Sequence, residues 1–398
     1  MLGLIWKKTT IRNNKGLMYK PTLFLQLLKL IPRDIIQEAT HKFHSDHSKN
    51  TFKTWHHLVC MLYVHFSGAN SLRTLEQSLG SYTSNLYHLG KITIKRSTLS
   101  DANYTRSFTV FAEIFHQMLK LIPSHQLKRD KGFKLLDSTC IKLKGRGFEW
   151  AEDTATLRCQ GLKVHVGIEH ESSHLWFATT SKANVNDVTV GKTVSITPGA
   201  FYIMDKAYCD YNWWAEIHHE GAYFVTRLKQ NAAYKVVEEQ ATKFGLKVQT
   251  IELTNRSSRA GQKNNCVGIP LYLVHVPHPS KPSKSLAVVS NAVHLSAEEI
   301  AQAYKKRWKV ELLFKFLKQN TKLKRFIGES ENTVLIQIYT ALISYILLML
   351  YQRLSRVKKT LFEVLTFIKA HLMSLVDRIM HPPNQSSPSR QKILPFIG

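Results

Sequence analysis

The sequence predicts an α/β protein: a mixed sheet with helices packed on it, preceded by an all-helical segment and followed by further helices. Three observations carry that reading. Residues 33 to 125 show helical periodicity with hardly a strand signal, from Phe133 the apolar period changes to two, and from Ser296 helical patterns resume. The boundaries expected from these changes are a helical domain at 18–125, a sheet-based domain at 130–330 with a β-rich insertion at about 231–282, C-terminal helices at 333–380, and a Pro/Ser-rich tail at 381–398 that composition marks as disordered.

The N-terminal elements follow in order. Leu23, Leu25, Leu27, Leu28, Leu30 and Ile31 begin a helical pattern that Pro32 interrupts. Helices are expected at Trp55 to Phe66, at Ser71 to Leu79 and from about Thr98 to Leu121, separated by the turn residues Gly68, Asn70, Gly80 and Gly90. In KRSTLSDANYTR, Lys95 to Arg106, Thr98 reads as an N-cap with Asp101 at N3 and basic residues on either side. A DNA-reading helix and an ordinary three-helix packing unit share that pattern. The charge tips the balance: 55 Lys and Arg against 28 Asp and Glu give +27, spread from end to end, which calls for a polyanionic partner such as nucleic acid. Cys60, Cys140, Cys159, Cys209 and Cys266 are odd in number, far apart and without C-x-x-C, so neither a disulfide framework nor a zinc ribbon is expected. A reducing, cytoplasmic location follows, since the N-terminus lacks an apolar core with a cleavage site. His41, His44 and His47 are discounted as a metal site because no second ligand cluster lies nearby in sequence.

In FKLLDSTCIKL, Phe133, Leu135, Ile141 and Leu143 share a strand face, and Asp137 falls in the same row. Strands at Leu162 to Ile168 and Leu175 to Thr180 come next, then a short helix after Asn184, then AFYIMDKAY, where Phe201 and Ile203 lead in register to Asp205. An apolar row meeting an aspartate twice is informative, because a buried carboxylate costs kilocalories unless a cation or donor meets it. A helix at Tyr211 to His219 and a strand at Tyr223 to Leu228 complete the plan. The insertion contributes strands at Val248 to Leu253 and Ile269 to Val276 around the loop Asn255 to Asn265, and Leu286 to Ser290 returns to the sheet.

Ser296 with Glu299 forms a capping box that starts a helix at Ala297, expected to run unbroken at least to Gln319. On it Tyr304, Arg307, Glu311 and Lys318 fall within a stripe roughly 60° wide. Val334 to Tyr351 is long and apolar enough to raise the membrane question, but Gln337, Thr340 and Ser344 interrupt it, and a buried helix with no membrane partner is expected. A second, amphipathic helix is expected at Val357 to Met380.

Asp137, Asp205 and Glu311 then form one hypothesis, two acids at sheet strands and a third on a helix beside them. Such a trio can hold two divalent cations about 4 Å apart for phosphodiester chemistry. Hard oxygen ligands favour Mg2+, with Mn2+ as a substitute. At these residues the chain resembles the DDE transposases of bacterial insertion sequences, in the branch with the Y-x2-R-x3-E-x6-K signature, present here as Tyr304, Arg307, Glu311 and Lys318. LDST at Leu136 to Thr139, IMDKAY at Ile203 to Tyr208, FVTRLK at Phe224 to Lys229, GANSLR and KRSTLSDAN extend the resemblance over roughly residues 20 to 355. It implies an RNase H-like core with a β-rich insertion before the third acid. It also implies metal-dependent hydrolysis at element ends, followed by attack of the freed 3'-hydroxyl on target DNA. The implied partners are double-stranded DNA, as terminal inverted repeats and target, and a second copy in the DNA complex, with the C-terminal helices as a dimerisation element. Tyr304, Arg307 and Lys318 are then expected to contact DNA near the cleaved end. The branch's insertion aromatic that stacks on a flipped base is not carried over, since the insertion has no Trp: either Phe244, Tyr234 or Tyr272 serves, or the step differs. The competing class is a DNA-binding regulator without catalysis, using the helical N-terminal domain.

Overall fold

A computed structural model describes residues 11–12, 18–19, 21–47, 51–82, 94–121, 132–152, 155–156, 159–241, 246–258, 261–278, 281–321 and 323–376. Gly90, Phe244, the end of the last predicted helix and the predicted tail lie outside these residues. A two-residue antiparallel ladder, β1 (Ile11–Arg12) with β2 (Met18–Tyr19), precedes six helices: α1 (Leu23–Leu28), α2 (Arg33–Lys42), α3 (Thr54–Ser67), α4 (Leu72–Gly80), α5 (Arg96–Thr105) and α6 (Thr109–Lys120). Thr22 and Ser71 cap α1 and α4 by accepting from the backbone N–H of Leu25 and Thr74. The single helix expected from Thr98 to Leu121 is two, and Thr98 lies inside α5 rather than capping it. Arg106 causes the break. Its backbone turns extended (φ −82°, ψ 120°) while its guanidinium enters the core, donating to Phe52 O at 2.9 Å and lying 3.1 Å from His57 Nδ1. The interior contact outweighs helix continuation.

The central sheet has nine strands in the order β5-β4-β3-β6-β7-β11-β10-β9-β8. β3 (Phe133–Lys142), β4 (Gly161–Glu169) and β5 (Leu175–Lys182) are antiparallel, and β6 (Phe201–Met204) and β7 (Tyr223–Arg227) join β3 in parallel through crossovers carrying α7 (Asp187–Gly191) and α8 (Tyr211–His219). This is the RNase H-like succession of strands. Gly161 starts β4 at φ +137°, and a Cβ there would meet Ile141 O at 2.1 Å, so only glycine fits. The insertion contains a strand the sequence pattern did not announce, β8 (Tyr234–Ala241), beside β9 (Lys247–Leu253) and β10 (Leu271–His278). It does not stand apart: β11 (Lys281–Ser290) pairs with β10 on one side and β7 on the other, so the insertion extends the catalytic sheet.

Helices cover both faces. α8 packs Trp213, Trp214 and Ile217 against Tyr202, Phe224 and Val289 on one. On the other lie α9 (Ala297–Lys306) and α10 (Trp308–Asn320), with α11 (Glu331–Ser355) and α12 (Leu361–His371). The helix expected to run unbroken through Gln319 therefore divides at Arg307. That residue stays right-handed (φ −51°, ψ −32°), but its N–H goes to Tyr304 O and its C=O takes the Val310 N–H, three-residue bonds that tighten the turn. The expected helix from Val357 begins only at Leu361, where Thr360 and Glu363 form a capping box.

The 18-residue apolar window of α11 is 89% buried inside the protein, so its hydrophobicity serves the core. One continuous apolar cluster joins Phe24, the α3 and α6 faces, α11, α12 and the sheet residues Leu135, Val166 and Ile203. Asn332 at the start of α11 fastens this layer by accepting from Phe108 N–H and donating to the carbonyls of Asn103 and Arg106. The cysteine expectation is overturned: Cys140 on β3 forms a disulfide with Cys159, Cα atoms 6.0 Å apart. No local spacing announced it, because the strand and the returning loop bring the two together. Cys60, Cys209 and Cys266 are buried and form no disulfide among the described residues.

Candidate active site

Sheet register builds the acidic centre. Leu136 pairs with Met204 across the parallel β3–β6 ladder, so the next step brings Asp137 beside Asp205, where β6 ends. Asp205 caps the short turn Lys206–Tyr208 by accepting from the Ala207 N–H, and its carbonyl accepts from Thr226 Oγ1. Glu311 enters from the first turn of α10. All three acids line one open cleft of about 440 Å³ with Thr139, Arg307 and Lys318. Asp187 and Asp210, the aspartates on either side of Asp205 in sequence, are engaged elsewhere, with Lys163 and Lys192 respectively, each at 2.9 Å.

Arg307 lies between two of the acids. Its Nη1 donates to Asp137 Oδ2 at 2.8 Å and its Nη2 to Glu311 Oε1 at 2.5 Å. The i,i+4 pair along the helix is therefore half of a bridge to the sheet. Burial pushes the Asp137 carboxyl up to about 6, against the pull of Arg307 and the Ser138 N–H, with Asp205 and Glu311 adding to the rise. Burial pulls the Arg307 guanidinium down, but Asp137, Tyr304 and Glu311 more than offset this and hold it above its usual range.

Lys318 crosses the cleft to donate to Thr139 Oγ1 at 2.6 Å. Burial, then Lys142 and Lys324, draw its ammonium down. No acid pairs with Lys142, Lys318 or Lys324 among the described residues. Tyr304 is only 9% exposed, with the Arg307 guanidinium 5.9 Å from its ring centre, so it supports that arginine from behind. Sequence reasoning passed over Trp308 and Leu312, which are 60% and 49% exposed on α10 beside Arg307 and Glu311. The signal was a large apolar pair four apart on a basic helix face.

The donor set fits a hard divalent cation: three carboxylates share a cleft, and a cationic guanidinium already sits between two of them. Among the described residues, however, no three His, Cys, Asp or Glu side chains converge closely enough to hold one ion as they stand. DDE transposases as a family use divalent metal ions.

A family model described as the transposase DDE domain matches residues 128–347, and a model of a domain of unknown function matches residues 19–92. A protein named as transposase y4zB of Sinorhizobium fredii is 34% identical over 260 residues, 65% of this chain and 72% of that relative. A protein named as a transposase for insertion sequence element IS4SA, from Synechocystis, is 25% identical over 302 residues, 72% of this chain and 80% of its own. The solved synaptic complex of piggyBac transposase with hairpin DNA covers 90% of this chain and 80% of its own at 12% identity and a TM-score of 0.47, too distant to bear on the site. Because the DDE-domain match takes in more than half of the 398 residues, the chain belongs to the DDE transposases of insertion sequences, enzymes that cut and join DNA.

Proposed function

We propose that Asp137, Asp205 and Glu311 are the catalytic acids of this transposase, holding two divalent cations, Mg2+ or Mn2+ in its place, at the ends of its element. The observation that carries this is the convergence of the three acids on one cleft from β3, β6 and α10, segments up to 174 residues apart by number. When bound, the cations supply an activated water or 3'-hydroxyl and a charge partner for the leaving oxygen. The chain's own residues do the rest: the carboxylates hold the cations, Thr139 orients Lys318, and Arg307 and Lys318 hold phosphates of the cut end. Incubating the protein and Mg2+ with a labelled duplex carrying the terminal repeat separates the readings. Nicking at the repeat boundary supports the transposase, binding without nicking the regulator.

Tyr304, Arg307 and Lys318 belong to the signature of the branch this chain resembles, and their assignment to DNA has a direct test. Arg307→Ala and Lys318→Ala are each expected to flatten the slope of log affinity against log salt for an end duplex by about one unit. Unchanged slopes would remove both from the phosphate contacts.

The DNA partners comprise the terminal repeats and the target, engaged by a homodimer. For the repeats the α5 face is the reading surface, because Lys95, Arg96, Ser97, Ser100 and Tyr104 are exposed along it, Tyr104 at 77%. Arg96→Ala with Tyr104→Ala is expected to cut the preference for the terminal repeat over unrelated DNA by at least about tenfold, since a base contact contributes about 1–3 kcal/mol. An unaltered preference in a competition assay would make α5 structural.

A further inference from the structure

The acids of the cleft already have a cation. Arg307 spans from the sheet to the helix, its two terminal nitrogens on Asp137 Oδ2 and Glu311 Oε1, with its side chain 19% exposed. The contact is built in rather than incidental. The tightened turn that divides α9 from α10 falls at Arg307, and the Tyr304 ring lies beneath the guanidinium. One oxygen of each carboxylate is thereby taken by the guanidinium, and its positive charge stands where a divalent cation held by Asp137 and Glu311 would place its own.

We propose that Arg307 is an internal counter-cation that competes with divalent metal for Asp137 and Glu311, so that metal entry into the DNA-free protein requires the guanidinium to leave the acids. This rests on the reading of those acids as metal ligands. Without Arg307, carboxylates crowded into one cleft repel each other, and an incoming cation relieves the repulsion without first displacing a partner. With Arg307 in place, the same cation meets a fixed positive charge and competes with two charge-assisted hydrogen bonds for the carboxylates. The open cleft leaves the displaced side chain room to turn outward, towards the side where Lys318 lies.

The test is a Mn2+ titration of the full chain without DNA, followed by the loss of the free-ion paramagnetic resonance signal. Arg307→Ala is expected to bind Mn2+ about 5- to 150-fold more tightly than the natural chain, the usual span of coupling between two ligands. Arg307→Lys, which keeps the charge but loses the fork, is expected to fall between them. If Arg307→Ala does not melt cooperatively, Arg307→Gln takes its place. Equal or weaker binding by the uncharged variant overturns the competition. Asp137→Asn separates this from the underlying reading: if it loses Mn2+ while the Arg307 variant matches the natural chain, only the competition fails. If Asp137→Asn binds Mn2+ undiminished, the assignment of the metal ligands fails with it.

Discussion

Asp137→Asn, Asp205→Asn and Glu311→Gln are each expected to lower strand cleavage at an element end by at least about 10³-fold while leaving end binding within a few-fold. Each substitution keeps the side chain's size and removes the charge, so on the proposed assignment it deletes a metal ligand and no DNA contact. The register that sets Asp137 beside Asp205 is made by backbone pairing, which these changes do not touch. A neighbouring aspartate does not rescue them. Asp187 is tied to Lys163, and Asp210 caps α8 through the Trp213 N–H while pairing with Lys192. The measurement is single-turnover cleavage of a labelled end with Mg2+, alongside binding of the same duplex and a melting curve. Near-natural cleavage by any one variant would show that residue to be misassigned.

The second large effect concerns stability. Ile343→Asp, in the middle of α11, is expected to prevent cooperative folding of the whole helical layer. Ile343 has no exposed surface, and the apolar cluster it belongs to draws on α3, α6 and α12 as well as α11. An unpaired carboxylate there costs several kcal/mol on top of the lost packing, comparable to the roughly 5–15 kcal/mol that holds a domain together. By the same reasoning a fragment of residues 18–125 is not expected to fold alone, because it lacks the helix its apolar faces close upon. Circular dichroism melting decides both. A melting point within a few degrees of the natural chain for Ile343→Asp, or a cooperative transition in the fragment, would show the N-terminal helices to be an independent domain.

The legible parts share a cause. The strand period around Phe133, the capping box at Ser296 and the apolar rows meeting Asp137 and Asp205 are local patterns, and local backbone preference is enough to produce them. The division of the chain into helical, mixed-sheet and helical segments follows from the same patterns. The errors lie where a distant contact overrides a local preference. Thr98 to Leu121 reads as one helix until Arg106 is drawn towards Phe52 and His57. Ala297 to Gln319 reads as one until the chain tightens at Arg307. Tyr234–Ala241 lacks a clean apolar alternation and is exposed over residues 234–240, and it forms a strand where β9 offers it a partner. The Cys140–Cys159 bond had no motif because its partners are neighbours only after β3 and β4 pair.

The sequence by itself determined the class of the fold and singled out the three acids and the basic residues beside them as candidates, since these depend on residue type and on spacings within single strands and helices. Tertiary structure alone decided that the insertion prolongs the catalytic sheet, that α11 is the shared core of the N- and C-terminal helices, and that Arg307 bridges Asp137 and Glu311. The Arg307–Glu311 half of that bridge is four residues long and visible in the sequence. The Arg307–Asp137 half spans 170 residues, and no local energy term links residues so far apart until α10 packs against β3.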